Sequence, residues 1–104
     1  MRKAIHINAE AKTISICEIQ SLEDMQALVG GYIEPVHYTK GLGQAQLYVN
    51  EEGLYKDYKY GFSIDGYGFV GNGFIACGVK DVDVSVQDIT PRVVWLGEKE
   101  EPVL

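Results

Sequence analysis

Apolar and polar residues alternate along the first segments of the chain. Lys3 to Asn8 carries Ile5 and Ile7, Thr13 to Ile19 carries Ile14 and Ile16, and Asn8-Ala-Glu-Ala-Lys lies between them. Period-two alternation around a short polar loop predicts an antiparallel hairpin. The period then changes. Ser21 is placed to cap a helix whose first turn holds Glu23 and Asp24 at the positive end of the dipole, and Leu22, Met25, Leu28 and Val29 fall on one face. Gly30-Gly31 supplies the left-handed residue on which helices end.

Strand-like sequence resumes at Tyr32 to Tyr38, where Pro35 has no amide to give a ladder and so directs the segment to a sheet edge or a bulge. Gly41 and Gly43 mark a loop. Gln44 to Asn50 alternates through Ala45, Leu47 and Val49, and Asn50-Glu51-Glu52-Gly53 has the composition of a tight turn. Leu54 to Gly73, crowded with tyrosines and glycines, is expected to be irregular or briefly helical before a glycine-rich turn. Phe74 to Val79 is an apolar strand. Val82, Val84 and Val86 alternate with Asp83, Ser85 and Gln87, which predicts a half-buried strand; Asp88-Ile-Thr-Pro91 should break it before a last strand at Arg92 to Leu96.

These elements sum to one α+β domain over residues 1–97, a mainly antiparallel sheet with one helix at about 21–29 packed on one face, followed by a short acidic tail at 98–104. The 104 residues hold one core, and 46% hydrophobic with 23% charged residues is the mix of a chain that folds alone. The formal charge of -6 makes duplex DNA a poor partner. It suits a soluble protein or one that docks on a basic partner. There is no apolar run of membrane-spanning length and no leader-like N-terminus, so the expected location is cytoplasmic and no membrane partner is expected. Cys17 and Cys77 lie in apolar strands without metal or disulfide-framework spacing; buried free thiols are expected, with a bridge between them as the alternative.

The segment Leu28-Val-Gly-Gly-Tyr-Ile-Glu34, followed by Val49-Asn-Glu-Glu-Gly53 and by Val70-Gly-Asn-Gly-Phe-Ile75, resembles a small domain-of-unknown-function family of bacteriophages, plasmids and conjugative elements. The likeness covers roughly residues 13 to 80. It implies a mobile-element setting, hence a host cytoplasm, and no established activity. Where that family commonly has an asparagine-rich stretch after the Glu-Gly turn, this chain has Tyr55-Lys-Asp-Tyr-Lys-Tyr60.

Motifs with possible chemistry fare poorly against their context. Gly66-Tyr-Gly-Phe-Val-Gly71 spells a dinucleotide-binding fingerprint, but a glycine-rich strand follows it instead of a helix. Asp81-Val-Asp-Val-Ser85 opens like a calcium loop, yet Val86 and Arg92 occupy the positions of the required glycine and bidentate carboxylate. His6 and His37 have no ligand spacing. No catalytic set, metal site or cofactor is therefore expected. The candidate binding residues are Tyr55, Lys56, Tyr58, Lys59, Tyr60 and Tyr67, because tyrosines interleaved with cations give large contact area with polar tips. Two readings follow: an accessory protein that binds a host macromolecule and inhibits a defence or regulatory component, or a protein that binds or sequesters a nucleotide-like small ligand. A pocket lined by the tyrosines would favour the second, and exposed rings the first.

Overall fold

The computed structural model describes residues 1–37, 40–51, 60–78 and 80–97. Strands β1 (Arg2–Asn8) and β2 (Thr13–Ile19) form the predicted hairpin. Its loop is fixed from both sides. The Asn8 side chain accepts from the Ala11 amide at 3.1 Å, and the Asn72 side chain accepts from the Ala9 amide at 2.7 Å.

Helix α1 (Leu22–Val29) starts at Ser21 in a reciprocal capping box with Asp24 and ends at Gly30, which has φ 78°. Val29 is buried and Met25 and Leu28 are half-buried, but Leu22 is 53% exposed, so the apolar stripe is narrower than its spacing suggests. Strands β3 (Ile33–Val36) and β4 (Gln46–Asn50) pair antiparallel, and β3 is an edge strand, where Pro35 is tolerated.

Two sequence expectations are overturned here. The span after Tyr60 is not irregular. Residues Gly61–Ile64 and Tyr67–Val70 are strands β5 and β6, joined by Asp65-Gly66, both with positive φ (53° and 87°). That is the geometry of a two-residue hairpin turn, matched to strand twist. The valine alternation after Lys80 is not a strand either. Ser85 accepts from the Asp88 amide at 3.1 Å and Asp88 accepts from the Ser85 amide at 3.2 Å, and this box starts helix α2 (Val86–Ile89). A 3-10 turn (Thr90–Arg92) then leads into β8 (Val93–Leu96). Val82, Val84 and Val86 still pack on the core, without strand pairing.

Strand β7 (Gly73–Ala76) lies at the centre of a five-stranded sheet ordered β2-β1-β7-β4-β3, and a second, three-stranded sheet is ordered β6-β5-β8. All pairings are antiparallel. The two sheets enclose the main core, with Ile5, Ile7, Leu47 and Ile75 from the large sheet facing Phe62 and Ile64 from the small one. Alternate residues of the large sheet face the other way. There Ala4, Phe74 and Ala76 meet Ile19 and Val29, and Tyr48 stacks on Phe74 with ring centroids 5.0 Å apart. The architecture is therefore helix on sheet on sheet.

Candidate functional site

The candidate tyrosine segment is only partly in view. Tyr55, Lys56, Tyr58 and Lys59 lie outside the described residues, as do Glu52 and Gly53 of the expected turn and the tail at 98–104. Tyr60 is half-buried and packs on the main core, and its carbonyl accepts from the Gly71 amide at 2.9 Å. Tyr67 is 47% exposed at the other end of the β5–β6 ladder, opposite Ile64. Four residues at about 3.3 Å each set these two positions roughly 13 Å apart along the strand. The structure does not bring them together.

Opposite Ile64 and two residues from Phe69, Tyr67 belongs to the inner side of the small sheet, whose outer side presents a face that the sequence reading missed. Phe62, Ile64, Phe69, Val93 and Trp95 point inward. Their strand neighbours Gly61, Ser63, Gly68, Val70, Val94 and Leu96 therefore occupy the outer face, matched in register across the three strands. None is charged, and Val94 is 60% exposed. Because β8 is apolar at every position, its amphipathic period is hidden, and only the pairing shows which side faces out.

One end of this sheet is locked to the rest of the fold by Arg92. Its Nε donates to Asp65 Oδ1 at 3.0 Å and its Nη1 to the Gly41 carbonyl at 3.0 Å, while Nη2 reaches Asp65 Oδ2 and the Lys40 carbonyl. The hydrogen bond from Arg92 is the main cause that holds the Asp65 carboxyl below its ordinary range. All three nitrogens of that fork are thus engaged in a structural clamp.

The remaining chemical candidates are also structural. Gly66 lies in the β5–β6 turn, Gly68 in β6 and Gly71 just after it, with no helix N-terminus there among the described residues for a phosphate to meet. Asp81 accepts from the Lys3 amide at 2.7 Å and Asp83 from the Gln44 amide at 3.3 Å, so both carboxylates are used in tying loops to strands. Among the described residues no group of three His, Cys, Asp or Glu side chains is placed to hold a metal. Cys77 is buried and Cys17 half-buried, and both are free thiols; burial raises the Cys17 pKa.

The glycine pair and the asparagine of the two family-like segments meet in space. Asn50 is 4% exposed and donates from Nδ2 to the carbonyl of Val29 at 3.1 Å, satisfying one acceptor at the end of α1. A Cβ on Gly31 would stand 2.8 Å from that nitrogen. Asn50 therefore acts as a helix-end partner, beyond the turn role its composition suggests.

His6 also faces α1. Its Nε2 lies 3.1 Å from the Leu28 carbonyl, an acceptor only, so this nitrogen carries the proton and donates it. Burial pushes the His6 pKa below its ordinary 6.5, opposed by that hydrogen bond. As pH falls below 6.5 the unfolded chain takes up the proton before the folded one does, so stability should decline as pH drops from 6.5 towards the folded value. Denaturant titrations above and below pH 6.5 check this; a His6→Gln variant should lose that part of the slope.

Fold and surface define a small α+β protein of two antiparallel sheets and a covering helix. The chain matches the family of domains of unknown function designated DUF3846 over residues 1–96 and belongs to it. No curated protein and no solved structure matches the chain. No helix among the described residues is long and apolar enough to cross a membrane.

Proposed function

We propose that this protein is an accessory protein of phage or mobile-element type that works in the host cytoplasm by binding a host macromolecule and so inhibiting a defence or regulatory component. The observation that carries the reading is the uncharged outer face of β6-β5-β8, with Val94 60% exposed on it; Tyr67, 47% exposed, lies on the other side of the same sheet, opposite Ile64. A sheet face without charges is one on which a partner can dock without desolvating an ion. The resemblance of the Val-Gly-Gly-Tyr-Ile-Glu and Asn-Glu-Glu-Gly segments to mobile-element proteins supports the setting. The net charge of -6 supports steering towards a basic partner.

The test is affinity capture from a host lysate, comparing wild type with Val94→Asp, Tyr67→Ala and Tyr55→Ala/Tyr58→Ala variants whose folding is verified by circular dichroism. A host protein held by wild type and lost from Val94→Asp is the expected result. The same protein held equally by all variants would remove this face from the proposal. A ligand-dependent rise in melting temperature with no captured protein would replace it by the small-ligand reading.

A further inference from the structure

Strand β2 is an edge strand, and it differs from the other edges of the fold. It has 7 residues, whereas β3, β6 and β8 have 4 each. β3 carries Pro35, which removes a donor from that edge. β2 has no proline, and Ile16 on it is 49% exposed.

The backbone direction of β2 follows from β1. The amides of Lys3 and Ala9 and the carbonyl of Lys3 bond to residues on the β7 side, at Asp81, Asn72 and Val82. Odd-numbered residues of β1 thus face β7 and even-numbered ones face β2. In the register Ala4↔Cys17 and His6↔Ser15, the residues of β2 that bond to β1 are Thr13, Ser15, Cys17 and Ile19. Ile14, Ile16 and Glu18 therefore direct their N–H and C=O groups away from the sheet, and among the described residues β1 is the one strand that pairs with β2.

We infer that this edge pairs with β2 of a second copy of the chain, antiparallel about a two-fold axis at Ser15, to join the two large sheets into one. Bonding residues must meet bonding residues, so only registers that pair even with even positions are open. Centring on Ile14 pairs only Thr13 to Ser15 of each copy, because β2 begins at Thr13 and Lys12 before it turns away with φ 58°. Centring on Ile16 places Glu18 against Ile14. Centring on Ser15 sets Ile14 against Ile16 and Thr13 against Cys17, and brings Lys12, the turn residue next to Thr13, to the end of the ladder beside Glu18, so that apolar meets apolar and a cation stands by an anion at both ends. Two copies of one surface then satisfy each other, and the exposed Ile16 is covered by its counterpart's Ile14.

Such an edge is smaller than the interfaces of tight complexes, so the dimer is a weak, concentration-dependent one. Sedimentation of the full chain from micromolar to submillimolar concentration should show monomer passing to dimer. Ile16→Lys should weaken the dimer about tenfold or more, Lys12→Glu should weaken it, and Lys12→Glu with Glu18→Lys should restore it. In a Cys17→Ser background, Ser15→Cys should form an intermolecular disulfide under mild oxidation, because non-hydrogen-bonded partners sit about 4.5 Å apart at Cα, within disulfide range. Lys12, Ile16 and Glu18 are exposed, so each variant should fold, and circular dichroism is the check. A wild-type chain that stays monomeric throughout overturns the proposal. So does a dimer indifferent to Ile16→Lys, or a charge exchange that fails to restore association.

Discussion

Replacing Phe62 with alanine is expected to destabilise the protein by about 3–5 kcal/mol, the range for removing a buried phenyl ring. Phe62 is fully buried on β5, the middle strand of the small sheet, and its ring stands 5.4 Å from that of Phe69, centroid to centroid. Among the described residues it is the largest fully buried side chain that the small sheet contributes to the space between the sheets. Its loss leaves a cavity that two hydrogen-bonded sheets cannot collapse to fill. Against a total stability of roughly 5–15 kcal/mol for a domain, this is a large share. Urea titration should show a lower midpoint with an unchanged slope, and the melting temperature should fall by about 4–8 °C for each kcal/mol. A loss below about 1 kcal/mol would mean that the sheets close over the gap.

The second large effect is expected from an addition on the facing strand. A methyl group on Gly73 of β7 would stand 2.8 Å from the Cζ atom of Phe62 and 3.0 Å from the Tyr48 carbonyl oxygen. Neither can yield, since the ring is packed and the oxygen belongs to the sheet backbone. Gly73→Ala should gain about 0.4–1 kcal/mol from a stiffer unfolded chain. Overpacking should cost about 1–3 kcal/mol, so the net sign is destabilising. The two sites are also coupled. In a Phe62→Leu background the ring tip that the methyl meets is gone, so Gly73→Ala should cost less there than in wild type, measured as a double-mutant cycle. Strict additivity would show that the Tyr48 oxygen alone sets the penalty.

What was legible in the chain was whatever local chemistry decides. The hairpin at β1 and β2 followed from isoleucines at period two, α1 from Ser21 and the glycine pair after Val29, and the edge position of β3 from Pro35. The β5–β6 hairpin was obscured by its glycines, although Asp65-Gly66 between apolar residues carried the turn signal. At Val82 to Val86 the period-two pattern competed with the Ser85–Asp88 box, and the box prevailed because those valines reach the core from a loop and a helix turn. The division into two sheets depends on which strands pair at long range, which no local pattern encodes. Of the candidate site the chain showed only the tyrosines, and none of those described lies on the outer face of the small sheet. Tyr60 turned out to serve the core, and the outward position of Val94 follows from its pairing with Ser63.

The position of β7 between β1 and β4 also governs the order of events when the chain is made. Ile75 pairs with Ile5 on one side and Leu47 on the other, so the large sheet has two separate hairpins until residues 73–76 arrive to bridge them. Synthesis proceeds from the N-terminus at about 5–20 residues per second. For some seconds, then, β1–β2 and β3–β4 can pair only as separate hairpins, each with one side of its inner strand unpaired and each marginal alone. Gly73–Ala76 is the keystone of this arch: the last strand of the large sheet to be synthesised and the one whose insertion turns two fragments into a cooperative whole.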